Sequence, residues 1–299
     1  MKNTLRLVLA LALVALASPG RADWRSQTGV FRIGVVDEAA GSRSPEHFSP
    51  FRDAVSAAIG MPAEVLLLRD APSLIDAQTA GRIEYAVLSA LGYAAAQEMC
   101  GCLVPLAAPT SASGAFGVRS VLVVRKAGGD GRAALAGGPV GHGPAGSLTG
   151  DLAPAISFRL AGSPLHGAGL DLVLQPSFEV ARDAFLAGDL AAFFAWDYAA
   201  PDGAAKPEGG LAATVAPADD AATEITWRSS VIPFGPHAVR DTVPDDVREA
   251  LRSMLVALHD TSPAGFDAIS PSLAGAFRPA QPGDYGYAVE LVRSLSASR

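Results

Sequence analysis

The stretch with the most evident chemistry is Gly146-Ser147-Leu148-Thr149-Gly150-Asp151-Leu152-Ala153-Pro154. Two hydroxyl side chains stand among two glycines, just before an apolar spacing of Leu152, Ile156 and Leu160 that predicts a helix. Thr149 reads as its N-cap, and Pro154 falls near the first turn, where a missing N–H costs least. Free backbone N–H groups at a helix start, joined by Ser and Thr hydroxyls, make an anion site. An ordinary capped helix carries the same local pattern. Asp151 puts a negative charge in the first turn, which suits the helix dipole but competes with a bound anion.

The chain has two cysteines, Cys100 and Cys102, one residue apart. Oxidised, they close a tight ring; they lack the four-ligand pattern of a structural zinc site. Two readings stand: a local disulfide or inert thiol pair at a helix end, or a soft-ligand or redox site. The five histidines are scattered. The sequence contains no Gly-x-Ser-x-Gly elbow, no phosphate-binding P-loop and no His-Glu-x-x-His zinc motif, so neither catalysis nor a cofactor or metal is expected.

These residues must be positioned by alternating strands and helices. Phe31–Val36, Ala63–Leu68, Tyr85–Leu88 and Leu103–Leu106 read as strands. Between them fall a helix opened by Ser49-Pro50 with Phe51, Val55 and Ile59 on one face, a helix from Asp70 to Gly81, and a helix over 91–99. Ser120–Arg125 is a strong strand, after which the texture changes. A second α/β pattern comes next, with strands near Val140, at 172–174 and at 192–196, a helix after Gly150 and a helix over 178–187. Residues 127–138 and 201–220 read as loops. Residues 226–232 form another strand, and Asp245 starts the last long helix, with Val247, Leu251, Leu255 and Leu258 along one face. Such short βαβ spacing predicts two α/β lobes with mostly parallel sheets and a ligand cleft between them. The expected division is residues 23–120 plus 230–299 for the first lobe and 121–229 for the second, with the crossings near the strands at 120–125 and 226–232.

The amino terminus reads as a secretory signal over residues 1–22. Lys2 and Arg6 precede an apolar run of about 11 residues, and small residues Gly20 and Ala22 lead up to a cleavage site after Ala22. That run is too short to span a bilayer, which needs roughly 20 residues. Its removal takes away Lys2, Arg6 and Arg21 and no acid, deepening the net charge from −7 to −10. So acidic a chain, without a basic run, is not expected to bind nucleic acid. The mature form is expected in the periplasm as an unanchored monomer.

The order of these landmarks resembles the phosphonate/phosphate/phosphite-type substrate-binding proteins of ABC importers. Ser147-Leu148-Thr149-Gly150 with Pro154 is similar to that family's Ser-Thr-Ser-Gly and subsequent Pro. Phe31–Val36 resembles its opening strand, and Phe48-Ser49-Pro50-Phe51 resembles the start of its first helix. The segments 80–86, Ser89-Ala90-Leu91-Gly92-Tyr93, Ser177-Phe178-Glu179 and 187–190 resemble later landmarks. The resemblance implies a two-lobed type II periplasmic-binding fold. It also implies a small oxyanion gripped by Ser147, Thr149 and the helix start at Gly150, with Tyr93 and Phe48 closing from the first lobe and an ABC permease as partner. Arg43 and His47 lie nearby in sequence as weaker candidates.

This chain departs from the pattern at Leu148, which replaces a hydroxyl, and at Phe178 and Ala191, where many members carry His and an acid. Asp197, at the end of a second-lobe strand, is a candidate carboxylate toward an amine or hydroxyl of the ligand, or a plain surface acid. The departures and the Cys pair leave an alternative: a periplasmic sensor of an arsenite-type oxyanion, held by Cys100 or Cys102 and partnering the periplasmic domain of a membrane histidine kinase.

Overall fold

The structure is a computed structural model that describes residues 24–36, 44–126, 138–200, 223–270 and 275–297, with the isolated positions 135, 210, 272 and 273. The expected signal segment, Arg43 and most of the two expected loops lie outside these residues. In chain order the first lobe opens with α1 (Trp24–Thr28), β1 (Phe31–Val36), α2 (Ser49–Ile59), β2 (Ala63–Leu68), α3 (Ala71–Thr79), β3 (Tyr85–Val87), α4 (Ala90–Cys100) and β4 (Leu103–Pro109). The second lobe contains β5 (Gly117–Arg125), β6 (Val140–His142), α5 (Ala153–Ser157), a ribbon of β7 (Arg159–Leu160) and β8 (Ser163–Pro164), β9 (Leu172–Leu174), α6 (Phe178–Ala187), β10 (Ala192–Ala199) and β11 (Thr223–Arg228). The chain returns through β12 (Ile232–Pro233) to β13 (His237–Arg240), α7 (Asp245–Thr261), α8 (Pro263–Ile269), β14 (Phe277–Pro279) and α9 (Gly286–Ala297).

The two sheets repeat one plan. The first runs β14-β4-β13-β3-β1-β2 and the second β11-β5-β10-β6-β9. In each, three parallel strands are succeeded by one antiparallel strand and then a strand parallel to the first three. The antiparallel members, β13 and β5, are the strands laid down just after the chain changes lobes. The passages are 110–116 outward and 229–236 on return. They are bound to each other: β12 pairs antiparallel with the start of β5, and Phe234 N–H donates to Phe116 O at 2.9 Å. A side chain at Gly117 would overlap the Ile232 carbonyl oxygen and come within 2.8 Å of Pro233 Cα, so only glycine lets the two passages lie this close.

Local sequence accounts for the elements that were legible. Phe51, Val55 and Ile59 recur every four residues and are all buried, and Gly60 closes α2 at φ 67°. Asp70 caps α3 by accepting the Ser73 N–H at 2.8 Å. Val247, Leu251, Leu255 and Leu258 bury one stripe of α7, each contributing roughly 1.5–3 kcal/mol. Val121 and Val123 face one side of the second sheet, and Leu122 and Val124 the other. Burial on both faces explains why β5 reads as an unbroken apolar run.

Three expectations need correction. The apolar run at 120–125 is not a crossing segment; it lies inside β5, wholly in the second sheet, because strands this apolar are buried on both faces. The strand expected at 226–232 occupies 223–228, broken by an irregularity between Ile225 and Trp227, with β12 separate. Helix α7 is not the last long one: α8, β14 and the 12-residue α9 come after it. Helix α9 buries only Ala288 and Leu291, so its periodicity was faint in sequence.

Within the first lobe, Tyr85 and His237 form a fully buried pair, with Tyr85 Oη 2.5 Å from His237 Nδ1. Burial pushes the phenol well above its ordinary value and the imidazole down to about 3. Tyr85 therefore donates to a neutral His237. The unfolded imidazole takes a proton below about pH 6.5, whereas the folded one resists it until about 3. This pair's contribution is complete above pH 6.5 and declines as pH falls. Urea unfolding at pH 7.5 and pH 5 is expected to show wild type losing about 2 kcal/mol more than His237→Leu across that interval.

Candidate functional site

The carboxyl ends of β1, β3 and β4 open onto a cavity of about 290 Å³. Its walls include Val35, Val36, Phe48, Leu88, Ser89 and Ile269. Ligands of open α/β sheets bind at this end, where strand order reverses about β1. Phe48 lines this cavity and also belongs to the first-lobe core. His47 is exposed beside it, its ring 5.0 Å from that of Phe48.

Helix α4 starts at the mouth of this cavity. Ser89 caps it by accepting the Gly92 N–H at 3.0 Å. One turn on, Tyr93 is 1% exposed, with its ring centroid 4.8 Å from that of Tyr285. Its hydroxyl is buried and makes no hydrogen bond among the described residues. Such a group ordinarily costs about 1–3 kcal/mol. Burial raises the phenol to about 12, so it stays protonated and remains a donor.

The second lobe presents the Gly146–Pro154 segment against the first lobe's apolar cluster. Gly143 N–H donates to Gly150 O at 2.7 Å, folding the segment back on the end of β6. Ser147, rather than Thr149, is the cap: its Oγ accepts the Gly150 N–H at 3.2 Å. A single π-type turn, Leu148–Leu152, leads from this cap into the five residues of α5. The predicted stripe ends early because Leu160 already lies in β7. Thr149 is buried, and its carbonyl accepts the Ser120 hydroxyl at 2.5 Å, tying the turn to β5. Asp151 is engaged at this end: its Oδ2 accepts the Gly146 N–H at 2.7 Å, and its Oδ1 lies 3.5 Å from His142 Nδ1.

Leu148, Ala153 and Ile156 pack into the first lobe's apolar cluster with Leu88, Tyr93 and Tyr285, and Ser157 Oγ meets Tyr287 Oη at 2.7 Å. Tyr93 and the Ser147–Gly150 turn are thus brought to one seam. Leu148 fills apolar space at the position where the resemblance implied a hydroxyl. Two candidates lie elsewhere. Asp197 is buried in β10, paired in register with Arg119, and does not line the cavity. Cys100 and Cys102 are joined in a disulfide at the far end of α4, so neither offers a thiolate; this removes the soft-ligand reading. Sequence reasoning missed Ile269 and Leu273, which come from the unpredicted α8 and the residues after it and carry no local signal of a cavity wall.

A family model, ABC transporter, phosphonate, periplasmic substrate-binding protein, matches residues 33–285. The chain belongs to this family. No curated protein matches it. Among solved structures it is similar to XAC2383 from Xanthomonas citri bound to chloride ion, with 16% identity, TM-score 0.55, and coverage of 91% of this chain and 100% of that one. The same protein bound to ATP gives 17% identity and TM-score 0.53, covering 90% and 98%. Mh-p37 from Mycoplasma hyorhinis, described as a putative thiamine pyrophosphate transporter, gives 9% and 0.52, covering 87% and 98%. At these identities the likeness speaks for the fold alone, a type II periplasmic-binding fold. Membership of the phosphonate-binding family makes this chain a periplasmic solute-binding component of an ABC importer, and gives no support to the sensor alternative. Among the described residues no helix is long and apolar enough to cross a membrane.

Gly150 is the tightest point of the second-lobe turn. A methyl there would overlap the Gly143 carbonyl oxygen and reach within 2.8 Å of Phe178 Cε1. Gly150→Ala is expected to cost about 1–3 kcal/mol in chemical denaturation, through overpacking, and to weaken ligand binding with it.

Proposed function

We propose that this protein captures a small oxyanion of the phosphonate, phosphite or phosphate type and hands it to an ABC permease. The observation that carries this reading is the buried Tyr93 hydroxyl, a protonated donor with no acceptor among the described residues, in the cluster against which Leu148 of the Ser147–Gly150 turn packs. An oxyanion oxygen supplies the acceptor it lacks. Ser147 and Thr149 hold the turn in shape; Leu148 and Phe48 shield the ligand from water. Closure of the lobes about the paired passages at 110–116 and 229–236 then creates the surface a permease recognises. Residues 1–22 direct export, and the mature chain acts as an unanchored periplasmic monomer.

The test is a thermal-shift and calorimetric screen of residues 23–299 against phosphate, phosphite and methylphosphonate, in wild type and in Tyr93→Phe. Ligand at 100 times its dissociation constant adds about 2.7 kcal/mol to wild-type stability. Tyr93→Phe is expected to lower affinity at least about tenfold, the loss of a hydrogen bond to a charged acceptor, while leaving the melting temperature of the free protein unchanged or higher. A Tyr93→Phe protein that binds as tightly as wild type would refute the role given to Tyr93. No shift with any oxyanion would refute the function.

A further inference from the structure

We infer that Tyr287 is a positioning residue for ligand capture: a chain of hydrogen bonds from its hydroxyl through Ser229 and Ser120 to Thr149 couples closure of the lobes to the shape of the Ser147–Gly150 turn. This rests on the reading of that turn as part of the binding site, and adds the residues that hold it from outside.

The links are specific. Thr149 O accepts the Ser120 hydroxyl at 2.5 Å, and the Ser120 N–H donates to Ser229 Oγ at 3.0 Å. The Ser229 N–H donates back to Ser120 O at 2.9 Å, which fixes the two serines side by side. Ser229 also engages the Tyr287 phenol, whose Oη meets Ser157 Oγ at 2.7 Å. Burial pushes that phenol above its ordinary value, so it stays protonated and serves both as donor and as acceptor. Thr149, Ser120 and Ser229 are all buried. A bond broken there is not replaced by one to water, so each link holds its neighbours in place.

The placement of these residues gives the chain its role. Tyr287 belongs to α9 of the first lobe, Ser157 to α5 and Ser120 to β5 of the second, and Ser229 opens the return passage between them. The turn runs directly into α5. It is therefore held at two points, the Thr149 carbonyl through Ser120 and the end of α5 through Ser157, and both lead to one phenol. Parting the lobes moves Tyr287 away from these partners and loosens the turn. By linkage, a ligand that binds the ordered turn favours the closed lobes to the same degree. None of Ser120, Ser157, Ser229 and Tyr287 lines the first-lobe cavity, so the effect passes through the turn rather than through contact there.

Stopped-flow and calorimetric binding of phosphate and methylphosphonate to residues 23–299 tests this, in wild type, Tyr287→Phe, Ser120→Ala, the double variant and Ser157→Ala. Tyr287→Phe is expected to weaken binding about fivefold, the worth of one hydrogen bond. The loss should lie in a faster off-rate with the on-rate unchanged, because ligand docks before the lobes close. Ser157→Ala, which removes the same bond from the opposite lobe, should behave alike. Ser120→Ala should lose about as much, and the double variant less than about tenfold, rather than the roughly 25-fold of independent sites. Additive losses, or wild-type affinity in Tyr287→Phe, overturn the inference. If neither anion binds wild type, the oxyanion reading falls, and hydrogen exchange of the free protein decides the coupling. The amides of residues 150–152 should then exchange at least about fivefold faster in Tyr287→Phe. Faster exchange confined to α9 would mean a merely structural tyrosine and overturns the inference.

Discussion

The structure depends on how closely its two interlobe passages approach each other. Segments 110–116 and 229–236 run side by side, joined by the pairing of β12 with β5 and by the Phe234–Phe116 hydrogen bond. Gly117 makes the contact possible by having no side chain to strike Ile232. Each passage delivers an antiparallel strand into the sheet it reaches, so β5 and β13 occupy equivalent places in two sheets of the same order. The carboxyl ends of the parallel strands therefore face a common seam, and the loops and helix starts that meet there come from distant parts of the chain.

The seam itself is mainly apolar. Leu148, Ala153 and Ile156 enter the first lobe's cluster, and Ser157 meets Tyr287 at its edge. Against this background a few polar groups stand out by how they are satisfied. The Asp151 carboxylate takes up the Gly146 N–H, reducing what the second-lobe turn can offer an anion. Tyr93 keeps a buried hydroxyl with no acceptor among the described residues. By contrast the equally buried Tyr85 is answered by His237, and that pair belongs to the core.

Much of the first lobe was legible in sequence because its signals are local. The α2 stripe, the start of α3 at Asp70, and the strands read at 31–36, 63–68 and 103–106 arise from spacing and residue type within about ten positions. The Ser147–Gly150 turn and Tyr93 were found by motif likeness. Their neighbours Ile269 and Leu273 were not, since nothing near them in sequence signals a cavity. Thr149 looked like a cap because it stands next to Gly150; Ser147 won because its hydroxyl can reach the Gly150 N–H once the segment folds back on Gly143.

By itself, then, the sequence determined the two alternating α/β patterns, the acidic character that disfavours nucleic acid, and where the Ser147–Gly150 turn and the start of α4 fall, because periodicity, charge and caps are short-range properties. Only the tertiary structure decided that Asp197 sits inside a sheet, that Cys100 and Cys102 close on each other far from the cavity, and that the described residues of the cavity wall carry no charge. Those outcomes depend on which residues meet across long stretches of chain, and no local spacing encodes such encounters.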